Sequence, residues 1–218
     1  MKKNILFILF YLAFAILLFG YFWINKSNKV KYIKDKTNEL EINIKYPCYK
    51  YKKLNKVINN YINSYVKNFR NNSFVENYSF YTLYIDYKEY LYNNYISIVL
   101  YTEFFLGGAH PSHYIDTVVY DSVNDIIIDI DYLINNDIIK LNELSSLARE
   151  YLSHNKIFDN TDIKDMMFKG TTSDKNNFKR FVFNNKGIIF FFERYQIAPY
   201  YFGEYNILIP YEKINFDI

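Results

Sequence analysis

The sequence has little cysteine, and it lacks the short motifs that mark common enzyme classes. Its single cysteine, Cys48, excludes an intrachain disulfide and a cysteine-rich zinc site. No nucleophile elbow, phosphate-binding loop or zinc-protease helix motif is present. Ser112 lies beside His113, but the surrounding pattern of a catalytic triad is missing. We therefore predict no catalytic residue, no metal ligand and no cofactor.

The chain also lacks internal repeats, long low-complexity tracts and a basic surface of the kind that binds nucleic acid. Seven of its 26 Lys and Arg residues and one of its 23 acidic residues lie in residues 1–36, which leaves 19 basic and 22 acidic residues in the rest. The net positive charge thus belongs to the N-terminal segment, and we predict no nucleic-acid partner. Tyr, Phe, Asn, Lys and Ile are enriched together, as in an AT-rich genome, so aromatic abundance alone carries little functional weight.

One long apolar run is present. Residues 5–24 contain no charge and no proline, and a helix of this length spans roughly 30 Å, the thickness of the hydrocarbon core of a bilayer. Tyr21, Phe22 and Trp23 stand near its end, where a signal peptidase requires small side chains. The run therefore favours an uncleaved membrane anchor over a cleaved signal peptide, and its aromatic end suits the bilayer interface.

These features predict how the chain is divided. We expect a cytoplasmic stub at residues 1–4, a transmembrane anchor at 5–24, a Lys-rich stalk at 25–38 and an extracytoplasmic domain at 39–218, with a possible internal boundary near 107–112. The lysines after the anchor slightly favour a cytoplasmic C-terminal domain by charge counting. The very short N-terminal flank favours export, so we predict a single-pass protein of the cell membrane with its domain outside.

The hydrophobic pattern of the domain predicts an α+β fold. Apolar residues alternate in some segments, as in half-buried strands, and recur at spacings of three and four in others, as in helices. The predicted strands are 39–46, 79–88, 95–105, 114–120, 126–130, 178–183, 188–193 and 205–210, and the predicted helices are 54–69, 141–152 and 158–169. We predict a largely antiparallel sheet packed with two or three helices, preceded by the N-terminal transmembrane helix.

Two loops carry the residues that we predict to contact a ligand, because rigid loops on a sheet commonly carry recognition. The first loop, residues 106–113, contains a glycine pair that permits positive φ angles before a histidine. The second loop is residues 195–203. The predicted binding residues are Gly107, Gly108, His110, His113, Tyr195, Tyr200 and Tyr201. A structural histidine is the simpler interpretation of His110, and an acid–base or metal role together with Glu103 or Asp116 stays open.

Four aspartates lie close together in the sequence without forming a calcium motif. They lack the glycine and the terminal glutamate of an EF-hand loop, and two of them alternate outward along a predicted strand. We predict a solvated face for Asp121, Asp125, Asp129 and Asp131.

Two segments resemble a bacterial extracytoplasmic family, the RsiV-like domains. Residues 104–110, Phe-Phe-Leu-Gly-Gly-Ala-His, followed by Tyr120-Asp121 and Asp131-Tyr132-Leu133, are similar to its Gly-Gly-Ala-His strand–turn–strand. Residues 187–192 and 195–200, with Gly203 and Ile209-Pro210-Tyr211, are similar to its C-terminal signature, although Arg194 stands where the family commonly has proline. The family includes the outer domain of a lysozyme-sensing anti-sigma factor and the non-catalytic N-terminal region of peptidoglycan deacetylases.

The resemblance implies a membrane-anchored binding module of the cell envelope that recognises peptidoglycan or a lysozyme-like protein without catalysis. Four residues before the anchor are too few for a sigma-binding domain, and no stretch of about 200 residues follows for a deacetylase domain. We therefore expect the outer module alone on a tether. Two alternatives stay open: a small wall-modifying or metal-dependent enzyme that uses His110, and an inhibitor of an exported hydrolase.

Overall fold

The computed structural model describes residues 29–72 and 80–216, and these form an α+β fold, as predicted. The predicted stub and membrane anchor, residues 1–24, lie outside the described residues. Within the described ranges, no helix is both long enough and apolar enough to cross a membrane.

The described residues form nine strands and four α-helices. The strands are β1 (Lys29–Lys36), β2 (Leu40–Cys48), β3 (Tyr81–Tyr92), β4 (Tyr95–Phe105), β5 (Ser112–Asp121), β6 (Ile126–Ile128), β7 (Phe181–Asn184), β8 (Gly187–Phe192) and β9 (Tyr205–Pro210). The α-helices are α1 (Lys52–Asn72), α2 (Ile130–Asn135), α3 (Leu141–Ser153) and α4 (Thr161–Gly170). Short 3₁₀ turns occur at Lys156–Asp159, Lys175–Asn177, Tyr200–Phe202 and Tyr211–Lys213.

The strands form two sheets rather than one. The first sheet contains β1 to β6 in chain order, and the second contains β7 to β9. Every neighbouring pair is antiparallel except β2 and β3, which run parallel from Leu40 opposite Tyr81 to Ile44 opposite Ile85. The crossover between these two strands contains α1, and such a connection returns the chain in its original direction. The pairing is thus largely antiparallel, as predicted, but the first sheet is mixed. The structure corrects the prediction of a single sheet with two or three helices, since the described residues form two sheets and four α-helices.

The Lys-rich segment predicted as a stalk is in fact the edge strand β1 over residues 29–36. It pairs with β2, with Ile33 opposite Ile44, and Ile33 contacts the core below the sheet. Because an edge strand has one neighbour, most of its side chains stay in solvent, and lysine is common there because it discourages pairing with other chains. The apolar alternation that identifies an inner strand is therefore absent from this segment.

The aspartates predicted to form a solvated face have separate structural roles. Asp121 is only 2% exposed and accepts hydrogen bonds from the backbone N–H groups of Val123 and Asn124 and from the side chain of Asn94. Asp129 does not lie on a strand, because its side chain caps the N-terminus of α2 by accepting from the Tyr132 N–H at 2.8 Å. Asp131, in the first turn of that helix, binds Lys175, and Asp125 accepts from the Tyr120 hydroxyl.

The elements stack as helix, sheet, sheet and helices. The apolar side of α1, including Leu54, Ile58 and Ile62, covers one face of the first sheet. The second sheet packs on the opposite face, where Val182 and Phe191 contact Val99 and Ile115. Helices α3 and α4 cover the outer face of the second sheet. Because the three-stranded sheet is narrower than the six-stranded one, part of the face of β1, β2 and β3 stays open.

Candidate functional site

The two predicted loops are in direct contact with each other. The hydroxyl of Tyr200 donates a hydrogen bond to the carbonyl oxygen of Pro111 at 2.8 Å. The Tyr200 ring stacks on the His110 ring, with 3.8 Å between ring centroids and 24° between planes. The centroid of the Tyr195 ring lies 5.6 Å from that of the Tyr200 ring. The first and second loops thus share one face of the molecule, and Tyr200 joins them.

Local backbone geometry explains how the loops reach this position. Gly107 and Gly108 have φ angles of 100° and 102°, which other residues rarely adopt, so the glycine pair lets the chain turn sharply after β4. In the second loop Tyr195 itself has a positive φ of 66°. Gln196 closes this turn, because its backbone N–H donates to the Glu193 carbonyl and its side-chain oxygen accepts from the Glu193 N–H.

The Tyr200 ring has an aromatic and a cationic neighbour, Tyr195 and Arg194, and a second exposed tyrosine, Tyr201, follows it in the sequence. Tyr195 is 59% exposed and Tyr201 is 75% exposed. The guanidinium of Arg194 lies 4.4 Å from the centroid of the Tyr200 ring and 3.4 Å from a carboxylate oxygen of Glu204. Arg194 therefore adds a charged, aromatic-stacked group to this face.

Beside the loops, the uncovered part of the first sheet forms an open cleft with a volume of about 550 Å³. We call it the sheet cleft. Its floor contains tyrosines from three strands, Tyr32, Tyr84 and Tyr101, and its rim includes His113, Arg194 and Glu204. The cleft therefore extends the surface formed by the two loops, because His113 belongs to the first loop and Arg194 directly precedes the second.

The strand register orders the floor of the sheet cleft into rows. One row crosses five strands and consists of Lys34, Asn43, Tyr84, Glu103 and His113. A second row contains Tyr32, Lys45, Asp86 and Tyr101. Neighbouring strands lie about 4.8 Å apart, so the first row extends over roughly 19 Å. The floor thus alternates aromatic rings with amide and charged groups over the length of a short oligomer.

Most charges of the sheet cleft are paired with one another. Lys45 lies 3.2 Å from Asp86, and Nδ1 of His113 lies 3.6 Å from a carboxylate oxygen of Glu103. Burial lowers the pKa of His113 below its ordinary value of 6.5, and Arg194 lowers it further, whereas Glu103 acts in the opposite direction. The imidazole is therefore neutral at pH 7 and can both donate and accept a hydrogen bond.

The groups proposed to assist His110 do not assemble around it. Asp116 accepts from the hydroxyl of Tyr65 on α1, so its side chain lies on the face opposite to the sheet cleft. Burial raises the pKa of this carboxyl group. Glu103 lies beside His113 rather than His110. In the described ranges, no group of three or more His, Cys, Asp and Glu side chains is placed to hold a metal ion.

The floor of the sheet cleft was not predicted from the sequence. Of its strand residues only His113 was among the predicted contacts, and Glu103 entered only as a candidate partner of His110. A signal exists in the alternation within β3 and β4, where Tyr84 and Asp86 share one face, as do Tyr101 and Glu103. This alternation predicts the outer face of a half-buried strand, but it does not show which part of that face the second sheet leaves open.

Two family models match successive parts of the chain. Residues 33–113 match a family described as deacetylase PdaC, and residues 132–212 match a family described as a protein of unknown function, DUF3298. The first match includes most of the strands that form the sheet cleft, and the second includes the loop of Tyr195 and Tyr200.

Among curated proteins, the chain is 28% identical over 171 residues to the peptidoglycan-N-acetylmuramic acid deacetylase PdaC of Bacillus subtilis (strain 168). The match covers 76% of this chain and 36% of that protein. The chain thus spans about a third of the length of this relative.

Solved structures have the same fold. A DUF3298 family protein from Pseudomonas aeruginosa PAO1 matches with a TM-score of 0.63 and 14% identity, over 87% of this chain and 94% of that one. A DUF3298 family member from Bacteroides fragilis matches with a TM-score of 0.58 and 20% identity, over 85% and 91%. The chain therefore has the α+β fold of DUF3298 structures, with a segment similar to deacetylase PdaC followed by a segment similar to the DUF3298 family.

Proposed function

We propose that this chain is an extracytoplasmic binding module of the bacterial cell envelope, that it recognises peptidoglycan without catalysing a reaction, and that residues 5–24 anchor it in the membrane as in the RsiV-like proteins. The observation that carries the proposal is the sheet cleft with its tyrosine floor, continuous with the two loops joined by Tyr200. The similarity to a protein named as a peptidoglycan deacetylase supports the choice of ligand.

The chemistry of the sheet cleft suits a glycan. A pyranose ring has an apolar C–H face and polar edges, so it packs on an aromatic ring while its hydroxyl and amide groups bond to flanking side chains. Tyrosine supplies such a surface with little loss of conformational freedom. Tyr84 lies between the amide of Asn43 and the carboxylate of Glu103 in one row, which places polar partners on both sides of the ring.

The pairing of charges in the sheet cleft supports binding rather than catalysis. Glycan hydrolysis uses two carboxyl groups in different protonation states across the scissile bond. Asp86 is paired with Lys45, and Glu204 with Arg194. Glu103 faces the neutral His113. The carboxylates are thus held in contacts between side chains, which is the arrangement of a fixed recognition surface.

Calorimetry tests the proposal with the full chain in detergent micelles and purified muropeptides as ligand. Wild-type protein binds, and Tyr84→Ala weakens binding at least tenfold because the stacking surface is lost, a change of about 1.4 kcal/mol. Phe168→Ala, which removes a 41% exposed aromatic ring on α4, is the matched control and leaves binding unchanged. Mass spectrometry finds the muropeptides intact after incubation. Absence of binding, or an equal loss in both variants, contradicts the proposal, and modified muropeptides contradict its non-catalytic part.

A lysozyme-like protein is the second proposed ligand, and the exposed rings of the second loop favour it. Tyr195 and Tyr201 project from the shared face with more than half of their surface in solvent, and exposed tyrosines of this kind commonly dominate protein interfaces. Tyr201→Ala then abolishes binding of lysozyme to the immobilised full chain while muropeptide binding is kept. If lysozyme does not bind wild-type protein, this second candidate is wrong, and the glycan proposal is unaffected.

The proposed location has its own test. Protease added to intact cells removes the C-terminal domain, as it removes known surface proteins, if residues 5–24 hold that domain outside. Protection of the domain under the same conditions contradicts export, and with it the role in the envelope.

A further inference from the structure

We propose that the sheet cleft selects an acidic glycan, one with a carboxylate beside its sugar ring, and that Lys34 is the residue that binds this carboxylate. The inference rests on the proposed glycan binding and adds to it a class of ligand and a residue that determines specificity.

The balance of charges in the sheet cleft singles out Lys34. The cleft has three cations, Lys34, Lys45 and Arg194. Lys45 is paired with Asp86, and Arg194 with Glu204. In the part of the chain that the structure describes, Lys34 forms no ion pair, and its ammonium lies 5.9 Å from the centre of the Tyr32 ring. The cleft therefore retains one cation that a ligand can neutralise. The carboxylate of Glu103, which faces the neutral His113, lies three strands away from Lys34 in the same row.

The neighbouring lysine shows why Lys34 differs from the other cations of β1. Lys36 is the next residue on the same face of the strand, and its ammonium binds Glu41 at 3.0 Å. Lys31 lies on the opposite face, near the ring of Tyr46. A general attraction by the basic strand would involve all four of its lysines, Lys29 included, whereas binding in the sheet cleft involves Lys34.

The register places Lys34 at a suitable distance from the aromatic floor. Lys34 lies opposite Asn43, which lies opposite Tyr84, so two strand spacings, about 10 Å, separate the Cα atoms of Lys34 and Tyr84. Side chains on one face of a sheet project in the same direction, so the Lys34 ammonium and the Tyr84 ring stand over the same face. A sugar stacked on Tyr84 thus has its amide substituent over Asn43 and a carboxylate within reach of the Lys34 ammonium.

In peptidoglycan this chemistry occurs on muramic acid but not on N-acetylglucosamine. The carboxylate comes either from the lactyl group of muramic acid or from the peptide attached to it. The lactyl carboxylate is three bonds from the sugar ring and is free when no peptide is attached, whereas the carboxylates of a stem peptide lie further from the ring. Chitin oligosaccharides have neither group.

Calorimetry with defined disaccharides tests the inference on the full chain in detergent micelles. The probes are N-acetylglucosaminyl-N-acetylmuramic acid with a free lactyl carboxylate, its methyl ester, the same disaccharide with its stem peptide, and chitobiose. Wild-type protein binds the free acid about fivefold more tightly than chitobiose or the ester, the gain expected for one exposed ion pair. Whether the peptide-bearing disaccharide binds better or worse than the free acid tells which source of carboxylate is used.

Variants of β1 complete the test. Lys34→Ala abolishes the preference for the free acid over chitobiose and over the ester, whereas Lys34→Arg keeps the preference. Lys31→Ala, which removes the same charge from the opposite face, keeps it as well. Equal binding of the free acid and chitobiose by wild type, or a preference that survives in Lys34→Ala, overturns the inference while the proposed function stands. If neither these probes nor any larger peptidoglycan fragment binds, both the inference and the proposed function fail.

Discussion

Tyr200 is the residue whose removal tests most directly whether the two loops form one surface. Its hydroxyl donates to the Pro111 carbonyl at 2.8 Å, and its ring contacts both the His110 ring and the Arg194 guanidinium. Tyr200→Phe removes the hydrogen bond alone. Tyr200→Ala removes the hydrogen bond and both stacking contacts, so the two variants separate the polar contribution from the aromatic one.

The expected magnitudes follow from these contacts. A hydrogen bond to a half-buried carbonyl contributes about 1 kcal/mol to the free energy of unfolding. An aromatic pair adds about 1 kcal/mol, and an exposed cation–π contact adds about 0.5 to 1 kcal/mol. Tyr200→Phe therefore destabilises the protein by about 1 kcal/mol and Tyr200→Ala by about 3 kcal/mol. In a domain of this size each kcal/mol lowers Tm by about 2 to 4 °C.

Thermal unfolding by circular dichroism measures the loss in stability, and hydrogen exchange of the amides in residues 107–112 reports on the first loop. Tyr200→Ala accelerates exchange there although the substitution is about 90 residues away in the sequence. Tyr201→Ala is the control, since that ring is 75% exposed, and it changes Tm by less than about 2 °C. Wild-type Tm and unchanged exchange of the first loop in Tyr200→Ala would refute the shared surface.

Three further predictions concern the scaffold that holds the site. Gly187→Ala places a Cβ atom 2.1 Å from the backbone oxygen of Ile209. We therefore expect the free energy of unfolding, measured with urea, to fall by about 3 kcal/mol or more. An unchanged unfolding midpoint would show that β8 and β9 lie farther apart. Arg180 binds Glu193 and donates to the Ile115 carbonyl at 2.7 Å. Arg180→Ala leaves the half-buried Glu193 without a cationic partner and lowers the free energy of unfolding by about 3 kcal/mol. The double variant Arg180→Met with Glu193→Gln loses less stability; equal losses in the two would contradict the role of the charge. Burial alone would raise the pKa of Asp121, but hydrogen bonds from Asn124, Val123 and Asn94 outweigh it and lower that pKa below 3.8. The stabilisation by ionised Asp121 is thus complete above pH 3.8 and decreases as the pH falls further, so the stability difference between wild type and Asp121→Asn narrows in acid; a difference that is constant from pH 6 to pH 2.5 would refute this.

Local patterns in the sequence predicted the regular elements well where one side of an element is buried. Apolar residues at spacings of three and four predicted α1, and four of its side chains on that side are buried. Asn93, in the turn between β3 and β4, has a φ angle of 50°, the left-handed conformation that asparagine tolerates in tight turns. In both cases the preference of a few neighbouring residues is sufficient to determine the structure.

Features that depend on distant partners were not predictable in this way. Strand β1 looks like a polar linker because its burial comes from one neighbour only, β2. The parallel pairing of β2 and β3 depends on where the chain returns after α1, which no local pattern shows. Ile130 continues an apolar run but begins a helix, because Asp129 caps the backbone there.

The candidate site has the same mixture of local and distant causes. The glycine pair and the tyrosines identified the two loops, but their contact depends on how the second sheet packs on the first. The row from Lys34 to His113 consists of one side chain from each of five strands. Its members are separated by nine or more residues in the sequence, so only the register of the strands shows that they form a row.

The proposed glycan site is the open face of the first sheet, and chemical-shift mapping shows whether a glycan binds there. The full chain, isotope-labelled in detergent micelles, is titrated with the muramic acid disaccharide. We expect chemical-shift changes confined to Lys34, Asn43, Tyr84, Tyr101 and His113, and none on the α1 side of the sheet at Leu54 or Ile58. Shifts that cluster on α1 or on the outer helices, or no shifts at millimolar ligand, would contradict it.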